Sequence, residues 1–586
     1  MDEEAMNRTT TIYLTWKSVP MLPRLLSENL CSLHPGVDRL CFSVVWTMDK
    51  SGNIKDTWYG RTVIRSVVKL NYSQAQALID GSYDTLSKTD PITVLSDDEI
   101  AKLVPDLNTL NKIAKSLRHR RFQNGSIKLD TVSVKFDLDP ETDQPLDVHP
   151  YEVKTSNFLV EEYMLQANRS VAERIVEAFP MHSVIRAHPQ PNQKKLEAFA
   201  AFCQSFGKTI RHNSSKELHQ SLIEVDKHFN DPAKSMVVKS LCTRSMMLAK
   251  YVVAASIDDD GKLHGTNADE ILSLLGYYSE AQAVTSEQKE NLQNTVDLIN
   301  SHYALAFPLY THFTSPIRRY PDVLVHRLLE AAVSQNDEVP IQKEGLENVL
   351  ARCNERKQDA DKASDAADLF MIKHFLKEHG PIYDKAIVQN VQKNKIELYS
   401  PRYGIEQVLL CEKMRLVKRY DARVNDFTME LTIGKRGGGG GKQKKKPSQK
   451  KKKHQPDPDA DPEAAQKAEQ AAQKIAEAEA KAQKKRDAET AQRELDYLTE
   501  KRVCLESIPT GVQPFFVKPG EKVELKIFDE VPIKMSVVEG KTGLDLHIQV
   551  LFYPTNEDPV MSQMAEIAPS SSIVASSSSA PIDQLD

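Results

Sequence analysis

Residues 434–502 interrupt the chain, and this interruption limits how the remaining sequence can fold. The segment opens with GKRGGGGGK, which is typical of a flexible glycine linker, and positions 435–453 hold nine lysines and one arginine without an acid. The DPE string at 461–463 supplies a helix cap, a first-turn proline and a first-turn acid. The Ala-, Glu-, Gln- and Lys-rich run up to 502 predicts a long solvated helix. We therefore expect two folded parts, separated by a linker and helix insert.

Length and composition indicate a multidomain chain with a real core. The 586 residues predict two to four domains, 40% of them are hydrophobic, and the net charge of −5 gives no global basic character. The seven cysteines are an odd number without a C-x-x-C pair, which argues against a disulfide framework or zinc knuckle and favours a reducing compartment. We expect no signal peptide and no membrane span, since no basic segment leads into an apolar one and no apolar run reaches the required length.

Residues 1–335 are predicted to form one mixed α/β body. The run LCFSVVWTMD at 40–49 predicts a strand, and the KSGN that follows it predicts a turn. A second run, WYGRTVIRSVVKL at 58–70, also predicts a strand. These runs supply the strand content that we expect near the start of the body.

Three stretches of this body have helical spacing. Residues 98–122 predict a helix that is interrupted near Pro105. Residues 156–179 predict a strongly amphipathic helix, with Ser156 as its cap. The segment 336–379 predicts two helices that close the body.

A different pattern begins at Gly380. Short β-rich runs alternate with polar turns over 380–433 and again over 503–555, which is typical of a small OB barrel. The serine-rich tail 556–586 is expected to be disordered. The sequence therefore predicts a small all-β domain into which the 434–502 insert is placed.

The most specific stretch is YTHFTSPIRRYPDVLVHRLL at 310–329. Pro316 fixes the backbone that enters a helix, and Arg318 and Arg319 follow it near the helix start. Two guanidiniums at a helix N-terminus can clamp a phosphate. Asp322 and His326 lie four residues apart on one helical face, where they can form a hydrogen bond. The alternative is a capped helix whose arginines pair with surface acids.

The whole string at 310–329 resembles the signature of the ribonuclease II (RNB) family. Three other stretches resemble family motifs in the expected order, at 11–46, 60–72 and 158–168. The resemblance covers residues 1 to about 410, and the later strands more weakly. It is closest to the cytoplasmic, exosome-independent Dis-three-like branch of the family, which degrades uridylated RNA.

The resemblance implies a fold and a set of site residues. The fold is an α/β (α+β) RNB catalytic-type body, incomplete at its N-terminus, followed by a small all-β OB barrel. Arg318 matches the arginine that contacts the scissile phosphate and stabilises transition-state charge. Tyr13, in the TIYL string, matches the tyrosine that stacks on the 3′-terminal nucleotides, although it is also a plausible ordinary strand tyrosine. Arg319 and Tyr320 are carried over as further RNA contacts.

The family's metal site is the part that we expect this chain to lack. A run of aspartates that holds Mg²⁺ precedes the TIYL-like string in the family, but only twelve residues precede Tyr13 here. We therefore expect the chain to be truncated, without the acidic cluster and the cold-shock domains. The other acids have simpler interpretations, which are a solvated turn at 258–260, a hairpin end at Asp137 and Asp139, and a helix start at 97–99 capped by Ser96.

Three functions remain open. The first is a Mg²⁺-dependent exoribonuclease that degrades single-stranded, 3′-uridylated RNA to nucleoside monophosphates, with this chain inactive by itself because it is a fragment. The second is a catalytically dead RNA-binding isoform, and the third is a scaffold that acts through the insert. The lysine run at 435–453 has a matching ambiguity, since it can bind phosphates or be a solvated or import-like segment. We expect a cytoplasmic monomer whose partner is single-stranded RNA, without membrane or exosome-core contact.

Overall fold

The described residues of the computed structural model are 1–129, 133–257, 263–265, 286–334, 343–414, 417–423, 428–433, 512, 514–517, 520–540 and 543–554. They divide into two compact units. The first holds Met1–Gly380 with Tyr399–Glu406 and Val537–Asp545, and the second holds the rest. The predictions for the 434–502 insert, the 556–586 tail and the acidic turn at 258–260 lie outside the described residues.

Helices and short strands alternate through the first 380 residues, which confirms the prediction of a mixed α/β body. The helices are α1 (Asp2–Arg8), α2 (Tyr72–Asp80), α3 (Tyr83–Leu86), α4 (Asp97–Gln123), α5 (Thr155–Ala178), α6 (Gln193–Ser205), α7 (Ser215–Phe229), α8 (Pro232–Thr243), α9 (Ser286–Asn300), α10 (Tyr320–Val333) and α11 (Lys343–His379). The strands are β1 (Ile12–Tyr13), β2 (Ser18–Val19), β3 (Asp38–Met48), β4 (Ile54–Arg65), β5 (Val134–Leu138), β6 (Pro145–Pro150), β7 (Val184–Ala187), β8 (Lys250–Val253), β9 (Ser256–Ile257) and β10 (Leu263–His264). A π-helical turn spans Leu25–Leu30 and a 3₁₀ turn spans Tyr303–Leu305.

The two strands predicted from 40–49 and 58–70 are confirmed as the antiparallel hairpin of β3 and β4. Asp49 closes its turn, because the carboxylate accepts hydrogen bonds from the backbone N–H of Ser51 at 2.9 Å and of Asn53 at 3.0 Å. Gly52 has a φ of +78°, which a residue with a side chain rarely adopts. Phe42 and Val44 of β3 and Tyr59 of β4 pack on the core.

Two details predicted for the helices are wrong, namely the interruption at Pro105 and the cap at Ser156. Helix α4 runs through Pro105 without a break. A proline lacks one backbone donor, but Ile100 and Ala114 are buried on either side of it, and this packing holds the helix together. Helix α5 begins at Thr155, so Ser156 lies inside its first turn and its hydroxyl donates to the carbonyl oxygen of Tyr72 at 2.8 Å.

The prediction of two closing helices at 336–379 is also wrong, because α11 is one helix of 37 residues. Its buried side chains continue along its length, from Leu346 and Leu350 to Met371 and Phe375. No glycine or proline interrupts 346–379, so the backbone has no reason to end a helix there.

Helices α5 and α10 form the centre of the core. They are joined there by α11, β7, β8 and the hairpin of β3 and β4. The core residues that these elements bury include Val171, Ile175, Val184, Val253, Leu324, Val325, Leu328, Leu329, Leu346 and Leu350. The start of α10 is therefore fixed by burial of the rest of that helix.

The strands after Gly380 confirm the predicted short β-rich runs. They are β11 (Ile382–Gln392), β12 (Lys395–Ser400), β13 (Ile405–Leu410), β14 (Val417–Arg423), β15 (Thr428–Ile433), β16 (Phe515–Val517), β17 (Lys522–Lys526), β18 (Glu530–Gly540), β19 (Gly543–Val550) and β20 (Phe552–Pro554). They form a five-stranded sheet in the order β13-β12-β11-β18-β19, a three-stranded sheet β14-β15-β17 and a parallel pair β16-β20. Pairing of β11 with β18 joins segments from both sides of the insert.

Candidate functional site

The segment 314–319 leads into α10 and carries the arginine pair. The carbonyl oxygen of Ser315 accepts hydrogen bonds from the backbone N–H groups of Arg318 and Arg319, both at 3.1 Å. Helix α10 begins at Tyr320 with Pro321 in its first turn, a position at which a proline costs no hydrogen bond. Both arginines therefore precede the helix, as a tight turn before its first residue.

The structure brings Tyr13 and Arg318 into one site, although they are 305 residues apart in the sequence. The backbone N–H of Thr11 donates to the carbonyl oxygen of Arg318 at 3.1 Å, and that of Tyr320 donates to the carbonyl oxygen of Thr9 at 2.8 Å. This pairing lays the segment 9–13 beside the start of α10. Tyr13 lies two residues after Thr11, in β1, and 51% of its surface is exposed.

Arg319 is directed into the protein and not towards solvent. Its Nη2 donates to Oδ1 of Asp322 at 2.7 Å, and the Asp322 side chain is fully buried. The same oxygen accepts from the backbone N–H of Ser315 at 2.7 Å. Burial disfavours the charge on Arg319, yet the Asp322 carboxylate raises the pKa of that guanidinium above its ordinary value. This pair fixes the turn that presents Arg318.

The predicted hydrogen bond between Asp322 and His326 is wrong. His326 Nε2 instead donates to the carbonyl oxygen of Phe313 at 2.9 Å, and the two rings stack with centroids 4.3 Å apart. Helical spacing places Asp322 and His326 on one face, but the buried arginine is the stronger partner for a carboxylate. Burial lowers the pKa of His326, so the ring is neutral near pH 7.

Tyr320 does not present a face to a ligand in this arrangement. It is 2% exposed, and its hydroxyl donates to Oδ1 of Asp2 at 3.0 Å. Arg327 donates to the same oxygen at 2.7 Å. The structure therefore gives Tyr320 a packing role in the core, and the RNA contact expected from the sequence stays a prediction.

Asn168 holds the strand-like segment that precedes the arginine turn, a role that sequence reasoning missed. Its side-chain Oδ1 accepts from the backbone N–H of Phe313 at 2.8 Å and of Thr314 at 3.2 Å, and its Nδ2 donates to the hydroxyl of Tyr310 at 3.0 Å. Asn168 is 1% exposed. The sequence carries no local signal for this role, because the bonds of Asn168 join residues more than 140 positions apart.

A group of aromatic and histidine side chains lies under the site. The hydroxyl of Tyr251 and Nδ1 of His312 share a hydrogen bond of 2.7 Å. Burial, followed by the charges of Arg319 and Arg186, lowers the pKa of His312 well below its ordinary value. Burial and the neighbours His188 and Arg186 lower the pKa of His302 to about 3. The positive charge of this region therefore comes from arginines and not from histidines.

Several buried polar atoms near the arginine turn lack a hydrogen-bond partner among the described residues. They are Thr9 Oγ1, Arg186 Nη1, Thr314 Oγ1, Arg319 Nε and Asp322 Oδ2. Buried polar groups ordinarily have a hydrogen-bond partner. These five atoms therefore make the surroundings of the arginine turn the part of the site with unmet hydrogen-bonding capacity.

The described residues do not fit the magnesium centre that the family resemblance implies. Within them, no group of three or more His, Cys, Asp or Glu side chains is placed to hold a metal ion. The two carboxylates nearest the site, Asp2 and Asp322, are committed to Arg327 and Arg319. Asp139 closes a turn by accepting from the N–H groups of Glu141 and Thr142, both at 2.9 Å, and Glu99 bonds Ser96 at the start of α4.

The fold and the arginine turn together define the class of protein. Residues 1–335 match the RNB domain, and the chain therefore belongs to the RNB family. It is similar to DIS3-like exonuclease 2 of Xenopus tropicalis, with 34% identity over 427 residues that cover 72% of this chain and 46% of the relative. The chain spans less than half the length of that relative.

Two solved structures share the fold. RNase R of Mycoplasma genitalium, solved in complex with ribose-methylated single-stranded RNA, has a TM-score of 0.57 at 20% identity, over 74% of this chain and 59% of that one. The yeast pseudonuclease Ssd1 has a TM-score of 0.60 at 20% identity, over 94% of this chain and 61% of that one.

No helix in the described part of the chain combines the length and apolar character that crossing a membrane requires.

Proposed function

We propose that this chain binds the 3′ end of single-stranded RNA through Arg318 and Tyr13. The observation that carries the proposal is the backbone pairing of segment 9–13 with the start of α10, which presents an exposed tyrosine beside an arginine turn. An aromatic face stacks on any base, and a guanidinium binds the phosphate that follows it. Arg319 supports this site by fixing the turn through Asp322, and its own contact with RNA stays a prediction.

The reaction that we propose for a complete RNB site of this kind is hydrolysis of 3′-uridylated RNA to nucleoside monophosphates in the cytoplasm. Arg318 would stabilise charge that develops on the scissile phosphate. The strands β11 to β20 are proposed to close as an OB barrel that guides the RNA. The expectations of a monomer and of no contact with the exosome core stay predictions.

For residues 1–586 by themselves we propose RNA binding without hydrolysis. Among the described residues, no group of three or more His, Cys, Asp or Glu side chains could hold a metal ion, and a pseudonuclease is among the solved structures that share the fold. Mixed with 3′-tailed RNA and Mg²⁺, the chain should therefore bind and release no mononucleotide. Mononucleotide release that EDTA abolishes would contradict this proposal.

Binding is tested by fluorescence anisotropy with a 3′-tailed oligouridine over a range of salt concentrations. Arg318→Ala should weaken binding about tenfold and lower the slope of log K against log salt by about 0.7, the contribution of one phosphate contact on a single strand. Arg61→Ala is the matched control, since Arg61 lies on β4 and is 76% exposed in its side chain. Equal behaviour of the two variants would remove Arg318 from the site.

A further inference from the structure

The β1–β2 hairpin docks its tip on helix α11. The N–H of Leu14 donates to the carbonyl oxygen of Lys17 at 2.8 Å, so Thr15 and Trp16 form the two-residue tip of the turn. The hydroxyl of Thr15 donates to Oδ1 of Asp368 on α11 at 2.7 Å. This bond holds the tip against the helix, and the Trp16 ring lies beside Phe370, two residues after Asp368.

Three aromatic rings meet where the tip touches α11. The ring centroids of Trp16 and Phe370 are 5.8 Å apart at 50°, and those of Phe370 and His374 are 4.3 Å apart at 49°. Phe370 is 48% exposed, and its neighbour Leu369 is 39% exposed. Trp16 and His374 are half-buried, so the cluster of Trp16, Phe370 and His374 lies at the edge of the core with Phe370 as its exposed ring.

Trp16 of this cluster lies in the same hairpin as Tyr13. Tyr13 and Trp16 are three residues apart in one hairpin, so their Cα atoms are separated by at most about 10 Å. Tyr13 is itself 51% exposed. Arg318 is tied to the same segment through the N–H of Thr11. Single-stranded RNA whose 3′ end lies at Arg318 and Tyr13 can therefore reach Trp16 with one of its next one or two nucleotides.

We propose that Trp16 and Phe370 form a second base-stacking platform for single-stranded RNA, next to the one at Tyr13. The proposal rests on the proposed function, because it extends the same RNA path. Aromatic rings at the surface of a hairpin and a helix bind unpaired bases of any sequence. A protein ligand for the cluster is the rival occupant, and it predicts that RNA binding does not depend on these rings.

The charges around the platform set the direction of the RNA backbone. Lys17 is exposed in the same turn, directly after Trp16, while Asp365 is exposed on α11 just over one turn before Phe370. Phosphates avoid Asp365 and are attracted to Lys17. The sugar-phosphate backbone therefore passes on the side of Lys17, with the bases directed at Trp16 and Phe370.

Trp16→Ala and Phe370→Ala in the full chain test the platform against two matched controls. Trp58→Ala removes a tryptophan with 49% exposure on β4, and Leu369→Ala removes the neighbouring apolar side chain on α11. The platform variants should each weaken oligouridine binding by about fivefold or more, consistent with stacking of roughly 1–3 kcal/mol per base. The controls should change it less than about twofold, on the order of 0.4 kcal/mol.

Salt dependence separates this platform from the phosphate contact. Loss of a stacking ring should leave the slope of log K against log salt unchanged, whereas Arg318→Ala lowers it. A conservative Trp16→Phe variant should keep most of the affinity, and it keeps the test valid if Trp16→Ala does not fold. Unchanged affinity in Trp16→Ala and Phe370→Ala, with Arg318→Ala still weakened, would overturn the platform and leave the proposed function standing.

Abasic RNA separates stacking from a merely structural role. The native chain should lose affinity when abasic sites replace the bases upstream of the 3′-terminal nucleotides. The double variant Trp16→Ala, Phe370→Ala should lose much less, because its platform is already absent. An equal loss in both proteins would show that the rings only hold the hairpin in place. Failure of the native chain to bind RNA at all would overturn the proposed function and the platform together.

Discussion

Arg319 Nη2 lies 2.7 Å from Oδ1 of Asp322, and the carboxylate that it binds is fully buried at the start of α10. The pair turns one of the two adjacent arginines inward as an anchor and leaves Arg318 as the one that the turn can present. The folded chain thus separates the roles of two arginines that are neighbours in one motif, a distinction that the motif alone does not make.

The first prediction concerns the stability of this pair. Asp322→Ala should lower the free energy of unfolding by about 3–5 kcal/mol, because it leaves a buried guanidinium without its partner. Denaturant unfolding followed by circular dichroism measures the loss. Glu330→Ala breaks the exposed pair with Arg61 and is the control, with an expected loss below about 1 kcal/mol. Similar losses in the two variants would mean that water solvates Arg319.

The second prediction concerns Asn168. Asn168→Ala leaves the N–H groups of Phe313 and Thr314 without their acceptor and the hydroxyl of Tyr310 without its donor. We expect a loss of at least about 2 kcal/mol in unfolding free energy, since each unsatisfied buried group costs about 1–3 kcal/mol. Asn157→Ala, near the solvent-facing start of α5, should cost about 1 kcal/mol or less. The same cost at both sites would contradict an anchoring role for Asn168.

Local patterns predicted the elements, and tertiary contacts decided their details. Strand runs with a KSGN turn were sufficient for the β3–β4 hairpin, because Asp49 and Gly52 close that turn within a few residues. Pro105 was misjudged, since the packing of α4 outweighs the one hydrogen bond that a proline removes. Local spacing offers Asp322 two partners, Arg319 three residues before it and His326 four residues after it, and the fold selects Arg319 because that side chain is directed inward.

The same limit applies to the candidate site. The motif similarity pointed to Arg318 and Tyr13, and the pairing of Thr11 with Arg318 is what joins them in space. Tyr320 shares that motif, yet its ring is used in the core. The bonds of Asn168 to Phe313 and of Thr15 to Asp368 join residues more than 140 positions apart. Bonds of this range have no local signature in one sequence.

The third prediction is a pH dependence from His302. Its pKa is lowered to about 3 in the folded chain, first by burial and then by His188 and Arg186, so the folded state keeps the ring neutral. The unfolded chain takes up a proton near pH 6.5. The stabilisation is therefore fully present above about pH 6.5 and is lost as the pH falls from there towards about 3.

His302→Asn isolates this contribution, because its amide oxygen can still accept from the N–H of Leu305 as His302 Nδ1 does. From pH 7 to pH 5 the native chain should lose about 2 kcal/mol more unfolding free energy than the variant. His119→Asn, at an exposed position on α4, should leave the native pH dependence intact. Parallel pH profiles for the native chain and His302→Asn would contradict the prediction.

The fourth prediction concerns the lysine run at 435–453, which lies outside the described residues. Deletion of these 19 residues should leave the fold intact, because linker-like sequence flanks them on both sides. If the nine lysines and one arginine bind RNA, removal of each phosphate-binding side chain should lower the salt slope by about 0.7. The matched control is deletion of 568–586, which also removes 19 residues but no lysine or arginine. Anisotropy with an oligouridine long enough to pass beyond Arg318 measures both slopes.

A slope equal to that of the control would show that the run does not touch RNA and would favour the linker or scaffold interpretation of the insert. A lowered slope would instead make the insert a second, sequence-independent contact that increases the local concentration of RNA at Arg318 and Tyr13.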